Sequence, residues 1–253
     1  MKNQQHFILF QNIPLMYGRV PKVANSSIKA ALCKLLSHPP VEGMRTTADS
    51  FWRDATNGET SLITPLKARQ LRTTHFSFSF VRNPFDRLVS AYNNKLIEND
   101  SISEAMKTMG LKTNMPFGDF ISCLYGCEDD VMDVHLLPQS SILCAGDKLV
   151  PKFVGRMENM DVDWDLLRRR MKREDLPVLG KLPQKNVRRV SGSPLTEYFC
   201  NQRLIDQVAE RYQSDLKLFY GESSLASLAS GETLEVHPPL QRGRRKKSAD
   251  AAG

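Results

Sequence analysis

Residues 75 to 92 read HFSFSFVRNPFDRLVSAY, and they pass from a strand pattern through a short loop into a helix pattern. Phenylalanine alternates with serine from position 76 to position 80, which is the period of two typical of a strand. Asn83 is placed to cap the following helix, and Pro84 suits its first position. Apolar residues then recur at helical spacing as far as Leu96. The stretch therefore predicts a strand, a short loop and a helix in succession.

The same succession occurs twice more in the chain. IPLMYGRV (13–20) predicts a strand, and the overlapping GRVPKVANSSIKAAL (18–32) leads from it into a helix that Asn25 or Ser26 is expected to cap. KFVGRMENM (152–160) predicts another buried strand before a helix. Apolar strands that alternate with helices predict an α/β fold, in which a mostly parallel sheet carries helices on both faces. Ligands of such folds bind beyond the carboxyl ends of the strands.

The chain of 253 residues is long enough for one large domain, which we predict at 13–221 after an N-terminal lead at 1–12. A last helix is predicted over 204–219. From 222 to 253 the chain lacks aromatic residues and helical periodicity, which predicts a disordered basic tail. The basic cluster at 242–247 supplies most of the net charge of +7 and could bind nucleic acid or acidic lipid, although such a cluster is more often simply solvated; elsewhere we expect no nucleic-acid contact.

Composition excludes several classes of protein. No run approaches the roughly 18 apolar residues of a membrane span, and the first residues lack the features of a secretory signal. The five cysteines are scattered, with no histidine at zinc-ligand spacing, so we predict reduced thiols and no metal site. A cytoplasmic location is the expectation that follows.

Two loops carry polar residues at the ends of predicted strands. The first supplies Lys22, the hydroxyls of Ser26 and Ser27, and unpaired amides at a helix N-terminus, which together favour an anion. It differs from the nucleotide P-loop because the glycines are missing and the lysine precedes the turn. The second supplies Arg82, whose fork of donors matches a phosphate, and Ser90 two helical turns later. One ligand could contact both loops.

These two loops, PKVANSSIKAAL and FVRNPFDRLVSAYNNKL, closely resemble the cofactor motifs of the carbohydrate sulfotransferases. That family includes the membrane-anchored Golgi enzymes that sulfate chondroitin, dermatan and related glycans, and their soluble bacterial relatives. DVHLLPQSSIL, FVGRMENMDVDW and AERYQSDLKLFYG continue the similarity in the same order, so it covers roughly residues 15 to 221.

The resemblance implies a three-layer fold like that of P-loop NTPases and the sulfuryl donor 3′-phosphoadenosine 5′-phosphosulfate (PAPS), without a metal. It implies that Lys22 contacts the bridging oxygen, that Ser26 or Ser27 contacts the 5′-phosphate, and that Arg82 and Ser90 bind the 3′-phosphate. The residues implied at the 5′-phosphosulfate site are Pro21, Lys22, Val23, Ala24, Asn25, Ser26 and Ser27. The implied partner is a hydroxyl-bearing acceptor, with a glycan favoured.

Transfer to a hydroxyl needs a base, and histidine has a suitable proton affinity near neutrality. His75 and His135 are the candidates in structured context, and we choose His135 because DVHLLPQ resembles a family motif. Asp133 or Gln139 could orient the ring or the acceptor. Arg87 could reach the site, but an arginine in the first turn of a helix is more often a surface ion-pair partner, which is the role we expect.

Two other functions fit parts of the sequence. A nucleotide-dependent kinase on a related fold would need magnesium, whereas sulfuryl transfer would not. A non-catalytic protein that binds anions or nucleic acid would depend on the basic tail rather than on Lys22.

Overall fold

The structure is a computed structural model that describes residues 4–183, 194–221, 223–232 and 240–241. Its strands are β1 (Phe7–Phe10), β2 (Leu15–Gly18), β3 (Thr60–Ile63), β4 (Phe76–Val81), β5 (Cys144–Ala145), β6 (Lys148–Leu149), β7 (Phe153–Arg156) and β8 (Leu240–Gln241). Its α-helices are α1 (Asn25–Leu32), α2 (Asp49–Asp54), α3 (Pro65–Gln70), α4 (Pro84–Tyr92), α5 (Glu104–Thr108), α6 (Phe117–Tyr125), α7 (Gln139–Leu143), α8 (Met160–Arg173), α9 (Leu195–Tyr198), α10 (Gln202–Arg211), α11 (Gln213–Phe219) and α12 (Leu225–Ser230).

The central sheet has the strand order β3-β1-β2-β4-β7-β8. The pairs β2·β4 and β4·β7 are parallel, whereas β1 pairs antiparallel with both β2 and β3, and β8 pairs antiparallel with β7. The predicted α/β class is confirmed, and the three strands predicted from sequence form the parallel centre. The carboxyl ends of the parallel strands β2, β4 and β7 therefore lie side by side at one edge of the sheet.

The N-terminal boundary was predicted wrongly. Residues 7–10, which we assigned to a lead outside the domain, form β1, and all four of them are buried between β2 and β3. The apolar run in this segment is only four residues long, so periodicity could not identify it as a strand. Pairing with β2 on one side and β3 on the other makes it one.

The serine hydroxyls of β4 donate hydrogen bonds to main-chain carbonyls on both sides of the strand. The hydroxyl of Ser79 donates to the carbonyl of Gly18, at 2.8 Å, and that of Ser77 donates to Val150, at 3.3 Å. The rings of the alternating residues pack in the core, where Phe78 stacks on Tyr17 with 5.1 Å between centroids. The alternation therefore separates aromatic packing from polar bonding inside a fully buried strand.

The two predicted helix starts differ in outcome. The side chain of Asn83 accepts a hydrogen bond from the amide of Phe85, and Pro84 opens α4, as predicted. The prediction for α1 is wrong, because its N-cap is Ala24 in the left-handed conformation, with no side-chain cap. That backbone conformation replaces the capping side chain, and sequence propensity gives no sign of it.

The C-terminal region is more ordered than predicted. The predicted last helix is divided into α10 and α11 at Tyr212, and the predicted disordered tail contains α12, with Leu228 and Ala229 buried. The basic cluster at 242–247 lies outside the described residues. Within the part of the chain that the structure describes, every helix is too short or too polar to cross a membrane.

Candidate active site

A cleft of about 2210 Å³ opens at the carboxyl ends of β2, β4 and β7. Its lining includes every predicted site residue but one: Pro21, Lys22, Ala24, Asn25, Ser26, Ser27, Arg82, Ser90 and His135. The exception is Val23, whose side chain is 1% exposed and packs in the core. Residues from three distant parts of the sequence thus share one cavity, as expected at the carboxyl edge of a parallel sheet.

The first loop owes its shape to two residues with left-handed backbones. Lys22 has a φ of 67° and Ala24 a φ of 45°, which side-chain-bearing residues rarely adopt. The first helical hydrogen bond of α1 runs from the amide of Ile28 to the carbonyl of Ala24, at 3.0 Å. The amides of 25–27 therefore precede the helical ladder and suit an anion. The loop achieves without glycine what the nucleotide P-loop achieves with it.

Lys22 is oriented by the segment that follows α4. Its Nζ donates to Oδ1 of Asn94, at 3.0 Å, and both residues line the cleft. Asn94 lies in a π-helical turn, Asn93–Ile97, and such turns are frequent at functional sites. Sequence reasoning missed Asn94, because a wider turn within a helical pattern leaves no signature in the residue types.

Arg82, in the second loop, is held by hydrogen bonds to three other residues. Nε and Nη2 of Arg82 donate to the two carboxylate oxygens of Asp86, at 2.7 and 2.8 Å, and Nη1 donates to the carbonyl of Lys22, at 3.2 Å. The buried side chain of Gln139 accepts from the amide of Arg82 and donates to its carbonyl, at 2.9 and 2.8 Å. The two loops are therefore in direct contact, and Ser90 also lines the cleft.

His135 lies against a carboxylate. Its Nδ1 is 2.8 Å from Oδ1 of Asp133, and the other carboxylate oxygen accepts from the hydroxyl of Ser103, at 2.6 Å. Burial acts against ionisation of Asp133, but the hydrogen bonds from His135 and Ser103 outweigh it and hold the pKa of that carboxyl well below its usual range. Of the two predicted orienting residues, Asp133 contacts the ring, whereas Gln139 bonds to Arg82.

His75, the alternative candidate for the base, lies outside the cleft. His75 precedes β4 at its amino end, where its Nδ1 contacts the hydroxyl of Thr74, at 2.8 Å, and it does not line the cleft. The carboxyl end of β4, which leads to Arg82, is the end that faces the cleft. Of the two histidines that sequence reasoning retained, only His135 is near the predicted anion site.

The prediction for Arg87 is wrong. Its side chain is 1% exposed and donates to the main-chain carbonyls of Pro21, His135 and Leu137. It therefore joins the first loop to the segment that carries His135, rather than forming a surface ion pair.

Two more buried cations that sequence reasoning missed lie on the β1 side of the cleft. Lys29 donates to Asp49, at 2.8 Å, and to the carbonyl of Thr47, at 2.7 Å, while Arg19 pairs with the same aspartate. Both cations are buried, and both line the cleft. Asp49 offsets one of their two positive charges, and the other adds to the charge of Lys22 and Arg82 in the cleft.

A family model described as "Sulfotransferase family" matches residues 5–221, which is most of the chain. The chain belongs to the sulfotransferase family. The match begins just before β1 and ends after α11, so it includes both loops of this sulfotransferase cleft and the segment that carries His135. Helix α12 lies beyond it.

Curated relatives agree with the family. The chain is 24% identical over 236 residues to carbohydrate sulfotransferase 14 of Danio rerio, and 25% identical over 237 residues to the protein of the same name from Mus musculus. Each alignment covers 85% of this sulfotransferase-family chain but only 62% and 60% of the relative, so the chain spans about three fifths of their length. No solved structure matches the chain significantly.

The charged residues of the cleft suit anionic groups. Among the described residues, no group of three or more histidines, cysteines or carboxylates is close enough to hold a metal ion. Cationic side chains and main-chain amides supply the positive potential. The arrangement can hold two anionic groups, one at each loop, and can accept a proton at His135.

Proposed function

We propose that the protein transfers a sulfuryl group from PAPS to a hydroxyl of a carbohydrate. One observation carries the proposal: the two loops that resemble donor-binding motifs line one cleft and contact each other, with Nη1 of Arg82 3.2 Å from the carbonyl of Lys22. Had the loops opened into different cavities, one nucleotide could not have reached both. Membership of the sulfotransferase family supports the same donor.

The residues present fit the donor. The amides at the start of α1, with the hydroxyls of Ser26 and Ser27, would bind the 5′-phosphosulfate. Arg82 and Ser90 would bind the 3′-phosphate, because a guanidinium already oriented by Asp86 presents its remaining donors without losing much rotamer entropy. Bound PAPS would supply the sulfuryl group and a phosphate leaving group.

Lys22 and His135 would have separate roles in the transfer: Lys22 stabilises the leaving group, and His135 accepts the proton. An acceptor oxygen forms a bond to sulfur while the bond from sulfur to the bridging phosphate oxygen breaks. Negative charge then grows on that bridging oxygen, and the ammonium of Lys22 stabilises it more in the transition state than in the ground state. The acceptor proton passes to Nε2 of His135, because Nδ1 is engaged by Asp133.

A glycan is the proposed acceptor, and the printed names of the relatives, carbohydrate sulfotransferase 14, support it. A three-layer arrangement like that of P-loop NTPases is the proposed fold, supported by the parallel β2-β4-β7 centre and by an anion-binding loop between β2 and α1. The cytoplasmic location stays a prediction, which cell fractionation tests.

The decisive experiment compares Lys22→Ala with Arg82→Ala. Lys22→Ala should lower kcat by about 10²- to 10³-fold, because a transition-state contact is lost. Arg82→Ala should instead raise the Kd of 3′-phosphoadenosine 5′-phosphate by about 10- to 100-fold, since charge-assisted hydrogen bonds to the ligand are lost. Turnover of labelled PAPS with a panel of glycans, and calorimetry with the desulfated nucleotide, measure the two effects.

Lys34→Ala and Arg53→Ala serve as matched controls, because both side chains are exposed and lie outside the cleft. They should behave as the wild type. Equal activity in Lys22→Ala and the wild type would refute the proposed mechanism. Phosphoryl transfer from ATP that stops in excess chelator would identify a magnesium-dependent kinase instead.

A further inference from the structure

Arg87 is among the most deeply buried side chains of the protein. It lies in the first turn of α4 and is 1% exposed, although its guanidinium is charged at any ordinary pH. Burying such a charge is costly unless its donors are satisfied. They are satisfied here by main-chain carbonyls.

The three carbonyls belong to the two segments that carry the proposed chemistry. Nε of Arg87 donates to Pro21, at 3.1 Å, Nη1 donates to Leu137, at 2.8 Å, and Nη2 donates to His135, at 3.2 Å. Pro21 directly precedes Lys22, and His135 is the proposed base. The planar guanidinium of Arg87 therefore links the loop that carries Lys22 to the segment that carries His135.

The rest of the His135 segment is held by other elements. The hydroxyl of Tyr212 donates to the carbonyl of Leu136, at 2.6 Å. The buried carboxylate of Asp215 accepts from the amides of Gln139 and Ser140, at 2.7 Å each. These bonds fix the segment to α10 and α11. Arg87 bonds both this segment and the Lys22 loop, and Arg82 with Gln139 forms a second link between them.

We infer that Arg87 is a positioning residue that fixes His135 relative to Lys22. The inference rests on the proposed function, because it assigns those two residues their roles. An in-line transfer needs the base and the leaving-group cation on opposite sides of one sulfur, and a displacement of about 1 Å can cost about 10²-fold in rate. Arginine suits the task because its fork offers several donors in a fixed plane, whereas lysine offers a single point charge.

The test substitutes Arg87→Lys and Arg87→Gln in the full chain. The first keeps the charge but not the fork, and the second removes the buried charge, so the test does not depend on one variant folding. For each variant we measure kcat, the acceptor KM and the Kd of 3′-phosphoadenosine 5′-phosphate. We expect kcat to fall by about 10- to 100-fold, with the nucleotide Kd within about threefold of wild type because Arg82 and the loop amides remain.

Arg156→Lys is the matched control. Arg156 is also buried, and its guanidinium donates to the carbonyl of Phe219, at 2.8 Å from Nη2, but its side chain does not line the cleft. We expect the control to lose thermal stability, as we also expect of Arg87→Lys, yet to keep the wild-type kcat at temperatures where it is folded. A comparable loss of kcat in both variants would show that Arg87 acts only through stability.

A double-mutant cycle with His135→Asn separates positioning from general support. If Arg87 acts through His135, then Arg87→Lys should change kcat much less in the His135→Asn background than in the wild type. Additive losses, or a wild-type kcat in both Arg87 variants, would overturn the inference. Failure of the proposed function looks different, because the wild type itself would then neither bind the desulfated nucleotide nor transfer sulfuryl from PAPS.

Discussion

At the scale of single residues, the environment of His135 depends on a carboxylate that stays ionised. The hydrogen bonds from His135 and Ser103 hold the pKa of Asp133 below its usual range despite its burial. A fixed negative charge at Nδ1 selects the tautomer that leaves Nε2 able to accept a proton, and it stabilises the imidazolium that forms. Proton transfer by a positioned base contributes about 10²- to 10⁴-fold to rate.

We therefore expect Asp133→Asn to lower kcat by about 10²-fold or more, since the charge that stabilises the imidazolium is lost. Steady-state kcat of Asp133→Asn, compared with that of the wild type at neutral pH, checks this. Asp130→Asn, which changes an exposed carboxylate nearby in the sequence, is the control. An Asp133→Asn variant with wild-type kcat would show that the charge of Asp133 has no part in the mechanism.

Residue types at strand ends are what made part of the site predictable. Lys22 and Arg82 could be found because each lies in a short loop between an apolar strand and a helix. Arg87 could not, because the carbonyls it contacts are 66, 50 and 48 residues away in sequence. Burial of a charged residue is decided by such distant partners, and a local pattern does not record them.

At the scale of elements, α12 shows what a compositional argument misses. The segment 222–253 lacks the features of a folded region, yet α12 packs Leu228 and Ala229 into the core beyond the family match. Nδ2 of Asn83 also donates to the carbonyl of Leu228, at 2.7 Å. The residue that caps α4 therefore also holds α12 in place, next to the proposed donor site.

Leu228→Ala should lower the free energy of unfolding by about 2–5 kcal/mol, the usual cost of truncating a leucine in a packed core. Leu225→Ala should cost less than about 1 kcal/mol, because Leu225 is on the same helix but is 41% exposed. Urea denaturation of the two variants measures the difference. Equal, small effects would mean that α12 is not packed in solution and that the disordered-tail prediction was correct there.

At the scale of the whole molecule, the sequence predicted the strands that pair in parallel and missed those that pair only antiparallel. β2, β4 and β7 were recognised because each is an apolar run that leads through a short polar loop into a helix. β1 and β3 were not, because each spans four residues and joins the sheet only through long-range antiparallel pairing. The centre that positions the site was therefore predictable, whereas the extent of the sheet was not.

The folded chain as a whole should also lose stability in mild acid through His6, which lies just before β1. Burial, together with the nearby charge of Arg19, lowers the pKa of His6 to about 4, and Asp49 opposes the shift only in part. The unfolded chain binds a proton at His6 near pH 6.5 that the folded chain does not bind until about pH 4. Folding is therefore favoured above pH 6.5, and the advantage falls by up to about 1.4 kcal/mol per pH unit between those two values.

Unfolding free energies of wild type and His6→Gln, measured from pH 7 to pH 4.5, isolate this effect, because their difference cancels the other titrating groups. The stability of the wild type relative to His6→Gln should decrease steadily as the pH falls through that range. If the wild type and His6→Gln show parallel curves, the imidazole is not held neutral, and the cleft wall beside Arg19 must be more open to water than the structure indicates.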